Sequence, residues 1–236
     1  MTGSEPTDEG EIPLPGGRTT RGVVRIGDTV RRPRTANSGF IRLLLDHLGA
    51  GGFDGAPAFL GIDGQGRDIF SYIEGNVPRE LDHHEDDVLD AAAALIRRYH
   101  DATADLAARV GHAGSGRIEV VCHGDLSPCN TVFRDGLPVA LIDFDAAATG
   151  CRLDDLGYAA WLWLDLGNPS RRPDEQRPRL LRFAAAYEFA GDIPTLVTAV
   201  LERQARLAAR APGATAAWAR ECMSWTLRHR QVLGDS

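Results

Sequence analysis

A small β-rich N-terminal lobe followed by a larger, mainly helical C-terminal lobe is the α+β architecture predicted for this 236-residue chain. Three observations carry the prediction. Up to residue 74, short β-type runs alternate with turn signals around one helical segment. Beyond Gly75 the apolar residues recur at helical spacing over long stretches. Hydrophobic residues make up 43% of the chain and charged residues 25%, the proportions of a globular protein with a sizeable core. Residues 1–17, polar with Pro and Gly, read as a flexible tail, 18–74 as the small lobe and 75–236 as the helical one.

The elements follow in order. Gly22–Ile26 and Thr29–Arg32 flank Gly27-Asp28, a two-residue turn signal, and form a hairpin that Pro33 ends. Asn37 or Ser38 is placed to cap a helix carrying Ile41, Leu44, Leu45 and Leu48 on one face, stopped by Gly49 and Gly51-Gly52. Ala58–Ile62 and Asp68–Ile73 are strands around the turn Asp63–Gly66. Leu81 to about Val110 carries a long helical pattern, broken by the glycine-rich stretch 111–116. Ile118–Cys122 reads as a strand and Thr131–Asp143 as a hairpin. From Asp154 the pattern is helical again, with breaks at Gly167–Pro173, Gly191–Pro194 and Pro212-Gly213. Trp161, Trp163, Trp218 and Trp225 are expected in the core, and His83-His84, beside three acids, on a solvated helix start.

Composition narrows the function. A formal charge of −7 and the lack of a basic motif argue against a nucleic-acid partner. No apolar stretch approaches the roughly 20 residues of a membrane helix, and no basic-then-apolar leader opens the chain, so the expectation is a cytoplasmic protein with no membrane partner. Cys122, Cys129, Cys151 and Cys222 make no CxxC pair and are expected as reduced thiols. All 26 basic residues are arginine. The sequence assigns no oligomeric state.

One segment concentrates chemistry: His123-Gly124-Asp125-Leu126-Ser127-Pro128-Cys129-Asn130, followed by Leu141-Ile142-Asp143-Phe144-Asp145. A four-residue loop over Asp135–Pro138 pairs Arg134 with Val139, and counting back sets Asn130 beside Asp143 at the open end of the hairpin. An amide oxygen beside a carboxylate is a hard-oxygen site suited to Mg²⁺. Asp125, five residues before Asn130, then lies where a carboxylate can take a proton from a hydroxyl while the metal holds phosphates. Asp145 is read chiefly as a cap for the helix that follows, with metal or substrate contact as the alternative.

His123–Asn130 has the Asp-x4-Asn spacing of the kinase catalytic loop, and Asp143 stands where kinases carry a metal-binding aspartate. The form HGDxxxxN…IDFD resembles the aminoglycoside phosphotransferase family, grouped with choline kinases and protein kinases. The resemblance covers about residues 14–236 and is tightest over 120–160. It implies a two-lobed protein-kinase-like fold that uses ATP or GTP with Mg²⁺ to phosphorylate a hydroxyl-bearing small molecule. It further implies Asp125 as catalytic base, His123 as the residue shaping that catalytic loop, Asn130 and Asp143 as Mg²⁺ ligands, and Asp155 as a brace for the loop. His100 stands where the family often has a histidine; from the sequence alone it is a helix-face residue.

The nucleotide lobe departs from the family pattern. Leu14-Pro15-Gly16-Gly17-Arg18-Thr19 resembles the glycine-containing nucleotide loop without a GxGxxG signature. The phosphate-contacting lysine has no counterpart in a lysine-free chain; Arg32 aligns best with it, on the same strand face as Val30, with Arg31 and Arg25 as alternates. Its usual glutamate partner early in the first helix is missing. Phe70–Gly75 resembles the interlobe hinge, where the main chain of Ser71 and Ile73 meets the adenine edge. Residues 168–236 carry 11 arginines against 7 acids, a balance that weighs mildly against a polycationic acceptor, while the acidic stretch Glu80–Asp90 keeps that acceptor open. The leading reading is a small-molecule O-phosphotransferase. Its rivals are a pseudokinase or nucleotide-binding partner protein without turnover, and a kinase for peptide Ser or Thr hydroxyls in a natural-product pathway.

Overall fold

Hairpin signals and one amphipathic segment build the first lobe. The computed structural model describes residues 10–14, 22–111 and 117–234. Strands β1 (Ile12–Pro13), β2 (Val24–Ile26), β3 (Thr29–Arg32), β4 (Phe59–Ile62) and β5 (Asp68–Ser71) form an antiparallel sheet in the order β1-β2-β3-β5-β4. Helix α1 (Ser38–Ala50) buries Ile41, Leu44, Leu45 and Leu48, the face read from the spacing. Its expected side-chain cap does not form. The Asn37 amide instead donates to the carbonyls of Asp145 and Ala147, both at 3.1 Å, because these oxygens of the other lobe stand within its reach. Of the glycine-containing stretch 14–19, only Leu14 falls among the described residues.

Helix α2 (Asp86–Val110) opens the second lobe, starting later than the apolar pattern because Asp86 and Asp87 occupy its first turn, where carboxylates favour the helix dipole. Leu89, Ala92, Ala93, Ile96, Tyr99, His100 and Thr103 form its buried face. His84 is a correction to the solvated reading: it is buried, with its ring 5.8 Å from Phe133 and 5.1 Å from Trp163. Removal from water lowers its pKa.

Strand β6 (Val120–Cys122) is followed by the hairpin of β7 (Thr131–Arg134) and β8 (Leu137–Leu141) and then by β9 (Ala148–Gly150), which returns to pair with β6. The hairpin turn differs from the sequence reading. Asp135-Gly136 makes a two-residue turn with φ of 51° and 81°, so Arg134 pairs with Leu137 rather than Val139. Two consecutive positive φ values are what an Asp-Gly hairpin turn supplies. Pro138 therefore lies in the strand, opposite Phe133 at a register shift. Its missing N–H is no loss, because the Phe133 carbonyl accepts the Asn76 N–H at 2.8 Å.

Helices α3 (Arg152–Trp163), α4 (Pro173–Ala186), α5 (Ile193–Arg210) and α6 (Gly213–Gly234) complete the chain, with breaks where Gly and Pro predicted them. One continuous apolar cluster includes Leu44 and Leu48 of α1, Tyr99 of α2, Trp161 and Trp163 of α3, Phe183 of α4 and Val200 of α5. Trp225 joins it. Trp218 does not sit wholly in the core: it is half-buried, stacked on Trp161 at 4.9 Å and 16°.

Candidate active site

The turn between β6 and β7 is fixed from behind. Asp155, on α3 and 1% exposed, accepts the His123 N–H at 2.7 Å and the Gly124 N–H at 2.9 Å. Its Oδ2 also meets His100 Nε2 at 3.2 Å, and His100 Nδ1 meets the Tyr187 hydroxyl at 2.7 Å. Burial works to raise the Asp155 carboxyl, but the His100 ring and the His123 N–H outweigh it and hold the pKa below the usual carboxylate value. Gly124 has φ of 82°, and a Cβ there would lie 2.6 Å from the Ala146 carbonyl, so only glycine fits. His100 is thus a buried link to Asp155 rather than a plain helix-face residue.

His123 lies in the wall behind the loop. The Asp125 N–H donates to its Nδ1 at 3.3 Å, so the ring proton sits on Nε2 and is donated to the Ile142 carbonyl at 3.0 Å. Burial lowers its pKa, against the pull of Asp155, and keeps the ring neutral. The ring thus links the Asp125 N–H to the main chain just after β8.

In front of this wall is a cleft of about 1180 Å³ between the lobes. Asp125, Asn130 and Asp143 line it together with Arg32, Ser71 and Ile73. The Asn130 Nδ2 donates to the Asp125 carbonyl at 3.1 Å, which leaves the amide oxygen as the atom to face a cation. The Ile142 N–H donates to the Asn130 carbonyl, and Asp143, with φ of 66°, turns the chain out of the ladder. Asn130 amide oxygen and Asp143 carboxylate are a hard-oxygen donor set that fits Mg²⁺, which takes one or two carboxylates and completes its shell with water and phosphate. Among the described residues no group of three or more His, Cys, Asp or Glu could hold a metal ion.

Arg32 faces the cleft with Val30, as strand alternation requires, while Arg31 turns away to Asp63 at 3.8 Å and Arg25 covers the Tyr72 ring at 3.7 Å. The Arg32 Nη2 reaches both Asp143 Oδ1 at 2.7 Å and Asp145 Oδ2 at 2.6 Å. Asp145 therefore binds Arg32 from within a short turn over Phe144–Ala146; α3 begins only at Arg152, so the cap reading is corrected. At the hinge, the Ser71 N–H is already taken by the Ala58 carbonyl at 2.9 Å, whereas Ile73 follows the end of β5.

Two residues missed in the sequence flank the Asp125 side chain. The Tyr158 hydroxyl donates to Asp125 Oδ1 at 2.9 Å, and burial, with the Asp125 charge beside it, pushes the phenol pKa far up. Arg203 of α5 donates to the Gly124 carbonyl at 3.0 Å and lies 4.6 Å over the Tyr158 ring. The one available signal was that Tyr158 stands three residues after Asp155, on the same helix face. The bulk-charge argument also fails locally. Asp68, Glu80, Asp125, Asp143, Asp145 and Asp165 line the cleft against Arg32 and Arg79, and no arginine beyond residue 168 does. Of those arginines, Arg171 reaches the cleft-lining Asp165 at 3.6 Å, while Arg182 pairs with Asp90 and Arg206 with Asp154.

Comparison with known proteins agrees with this geometry. A family model described as phosphotransferase enzyme family matches residues 112–196. The trifolitoxin immunity protein of Rhizobium leguminosarum bv. trifolii is 32% identical over 251 residues, covering 92% of this chain and 95% of its own. The chain belongs to the phosphotransferase enzyme family. Members with solved structures share its fold. Plasmodium vivax ethanolamine kinase superposes with a TM-score of 0.59 at 12% identity, over 89% of this chain and 79% of its own. An aminoglycoside phosphotransferase from Streptomyces rimosus, in complex with ADP and streptomycin, gives 0.54 at 17% identity, over 97% and 94%. The phosphotransferase chain thus has the protein-kinase-like fold, a small β-sheet region joined to a larger helical part.

Proposed function

We propose that this phosphotransferase moves the γ-phosphate of ATP or GTP to a hydroxyl of a small molecule in the cleft between residues 18–74 and 75–236. The observation that carries the reading is the convergence of Asp125, Asn130, Asp143 and Arg32 on one cleft, with the Asn130 amide nitrogen turned to the Asp125 main chain. Asp125 accepts the acceptor's hydroxyl proton on the carboxylate oxygen that Tyr158 does not hold. Asn130 and Asp143 hold Mg²⁺, which neutralises phosphate charge when bound. Arg32 takes the place of the family lysine toward the phosphates, and the main chain of Ser71 and Ile73 meets the base. His123 and Asp155 position the loop. The acidic cleft favours a cationic acceptor, and the relative named for trifolitoxin immunity adds a toxin to the candidate acceptors. Among the described residues no helix is long and apolar enough to cross a membrane; a cytoplasmic location is part of the proposal.

One observation favours the second reading, a nucleotide-binding protein without turnover: Arg32 is held by Asp143, a proposed metal ligand, rather than by a helix glutamate. Asp125→Asn separates the two readings. Turnover with an acceptor panel should fall by about 10²- to 10⁴-fold, the usual contribution of a general base, with nucleotide affinity kept. Unchanged turnover in that variant would remove Asp125 from the chemistry, and nucleotide binding without turnover in the wild type would favour the second reading.

A further inference from the structure

From the contacts of Arg32, we infer that this side chain is the resident counter-cation of the Asp143–Asp145 pair, so that a divalent metal enters the site only when a nucleotide draws Arg32 away. The inference rests on the proposed nucleotide and metal site and concerns the order in which that site fills.

The two carboxylates are held by one nitrogen. Nη2 of Arg32 lies 2.7 Å from Asp143 Oδ1 and 2.6 Å from Asp145 Oδ2, so both oxygens converge on a single cationic group. The Arg32 side chain is 15% exposed, and those of Asp143 and Asp145 are 24% and 27% exposed, which places the cluster where water screens charge poorly. The pair is also held from outside. Asn37 fixes the main-chain carbonyls of Asp145 and Ala147 to the start of α1, which holds the main chain beneath Asp145 in place. A metal ion approaching Asp143 Oδ1 therefore meets a guanidinium already on that oxygen, and like charges at such a distance repel strongly.

A triphosphate changes the balance. Its oxygens suit the planar fork of a guanidinium better than a single shared nitrogen does. Once Arg32 turns to phosphate, no guanidinium stands on Asp143 Oδ1, and that carboxylate would be open to a divalent cation. Nucleotide and metal are thus coupled through one side chain. By linkage, each raises the affinity of the site for the other. A lysine paired with a helix glutamate would not impose this order, because the acids would not be its resting partners.

The test is Mn²⁺ binding without nucleotide, followed by electron paramagnetic resonance, in the wild type, Arg32→Gln and Arg79→Gln. Arg79 also lines the cleft and controls for the loss of any nearby positive charge. Arg32→Gln should bind Mn²⁺ at least about tenfold more tightly than the wild type, within the usual range of coupling between sites, and Arg79→Gln should stay close to the wild type. Equal affinity in Arg32→Gln and wild type, or an equal gain in Arg79→Gln, overturns the inference. Should Arg32→Gln not fold, the wild type decides. Nucleotide should bind in the presence of chelator while Mn²⁺ alone does not, and tight binding of Mn²⁺ alone overturns the inference. If neither nucleotide nor Mn²⁺ binds any of the proteins, together or singly, the proposed nucleotide site falls and the coupling with it.

Discussion

Asp155→Asn removes one charge and one acceptor from the support of the 123–130 loop, and its effect can be worked from the contacts. The carboxylate accepts two main-chain N–H groups, from His123 and Gly124, and faces His100 Nε2. An amide of the same shape offers one acceptor oxygen and turns an NH₂ toward the other donors. If the oxygen keeps the His123 N–H, the Gly124 N–H is left buried without an acceptor, at about 1–3 kcal/mol. Loss of charge assistance on the remaining bonds adds about 1 kcal/mol. The sum, about 2–4 kcal/mol, is a large part of the 5–15 kcal/mol that typically separates folded from unfolded states. For a chain of this size that corresponds to a fall in Tm of about 4–16 °C. Thermal melting followed by circular dichroism reads the stability, and turnover of the surviving folded fraction reads the loop. A fall of less than about 1 kcal/mol would refute the claim that Asp155 alone satisfies those donors.

Further outcomes follow from neighbouring contacts. Tyr158→Phe keeps the ring under Arg203 but deletes the hydrogen bond to Asp125 Oδ1; kcat should fall by about tenfold with KM for nucleotide unchanged, as for a group acting only on the base. An equal rise in nucleotide KM would place Tyr158 in binding instead. The buried histidines set an acid limit on stability. His84 and His123 have folded-state pKa values lowered below 6.5 by burial, so the unfolded chain binds more protons just below pH 6.5 and stability falls as the pH drops through that value. His84→Phe, which keeps a ring against Phe133 and Trp163, should flatten the fall in Tm between about pH 6.5 and pH 5; an unchanged slope would show that His84 takes no part in it.

The parts of the site that were legible in sequence are local ones. Asp125, Asn130 and Asp143 carry a recognisable spacing because a short loop and one hairpin hold them, and the core face of α1 repeats at a period of the helix. The hairpin turn was misplaced because Pro138 was kept out of the strand, when a main-chain partner from the linker made it harmless there. What stayed hidden depends on segments far apart in the chain. Arg32 and Asp143 are separated by 111 positions, and no local pattern announces that an arginine without its helix glutamate will settle on the metal-side acids. Tyr158 and Arg203 belong to helices whose apolar periodicity gives their buried faces but not which polar residue looks into the cleft. Strand β9 is three residues of Ala, Thr and Gly, and only its partner β6 makes it a strand.

The junction between the lobes has a mechanical consequence. Immediately after Gly75, whose φ is 150° and where a Cβ would lie 2.5 Å from the Phe133 carbonyl oxygen, Asn76 exchanges both main-chain hydrogen bonds with Phe133. The crossing segment is thereby riveted to β7 just past Gly75. Any swing that widens the cleft must be absorbed by the few bonds between Ser71 and Gly75, a pivot with almost no lever arm on the far side. Since β7 starts directly after Asn130, the rivet also isolates the 123–130 loop from that swing: the jaws can open while the anvil stays still.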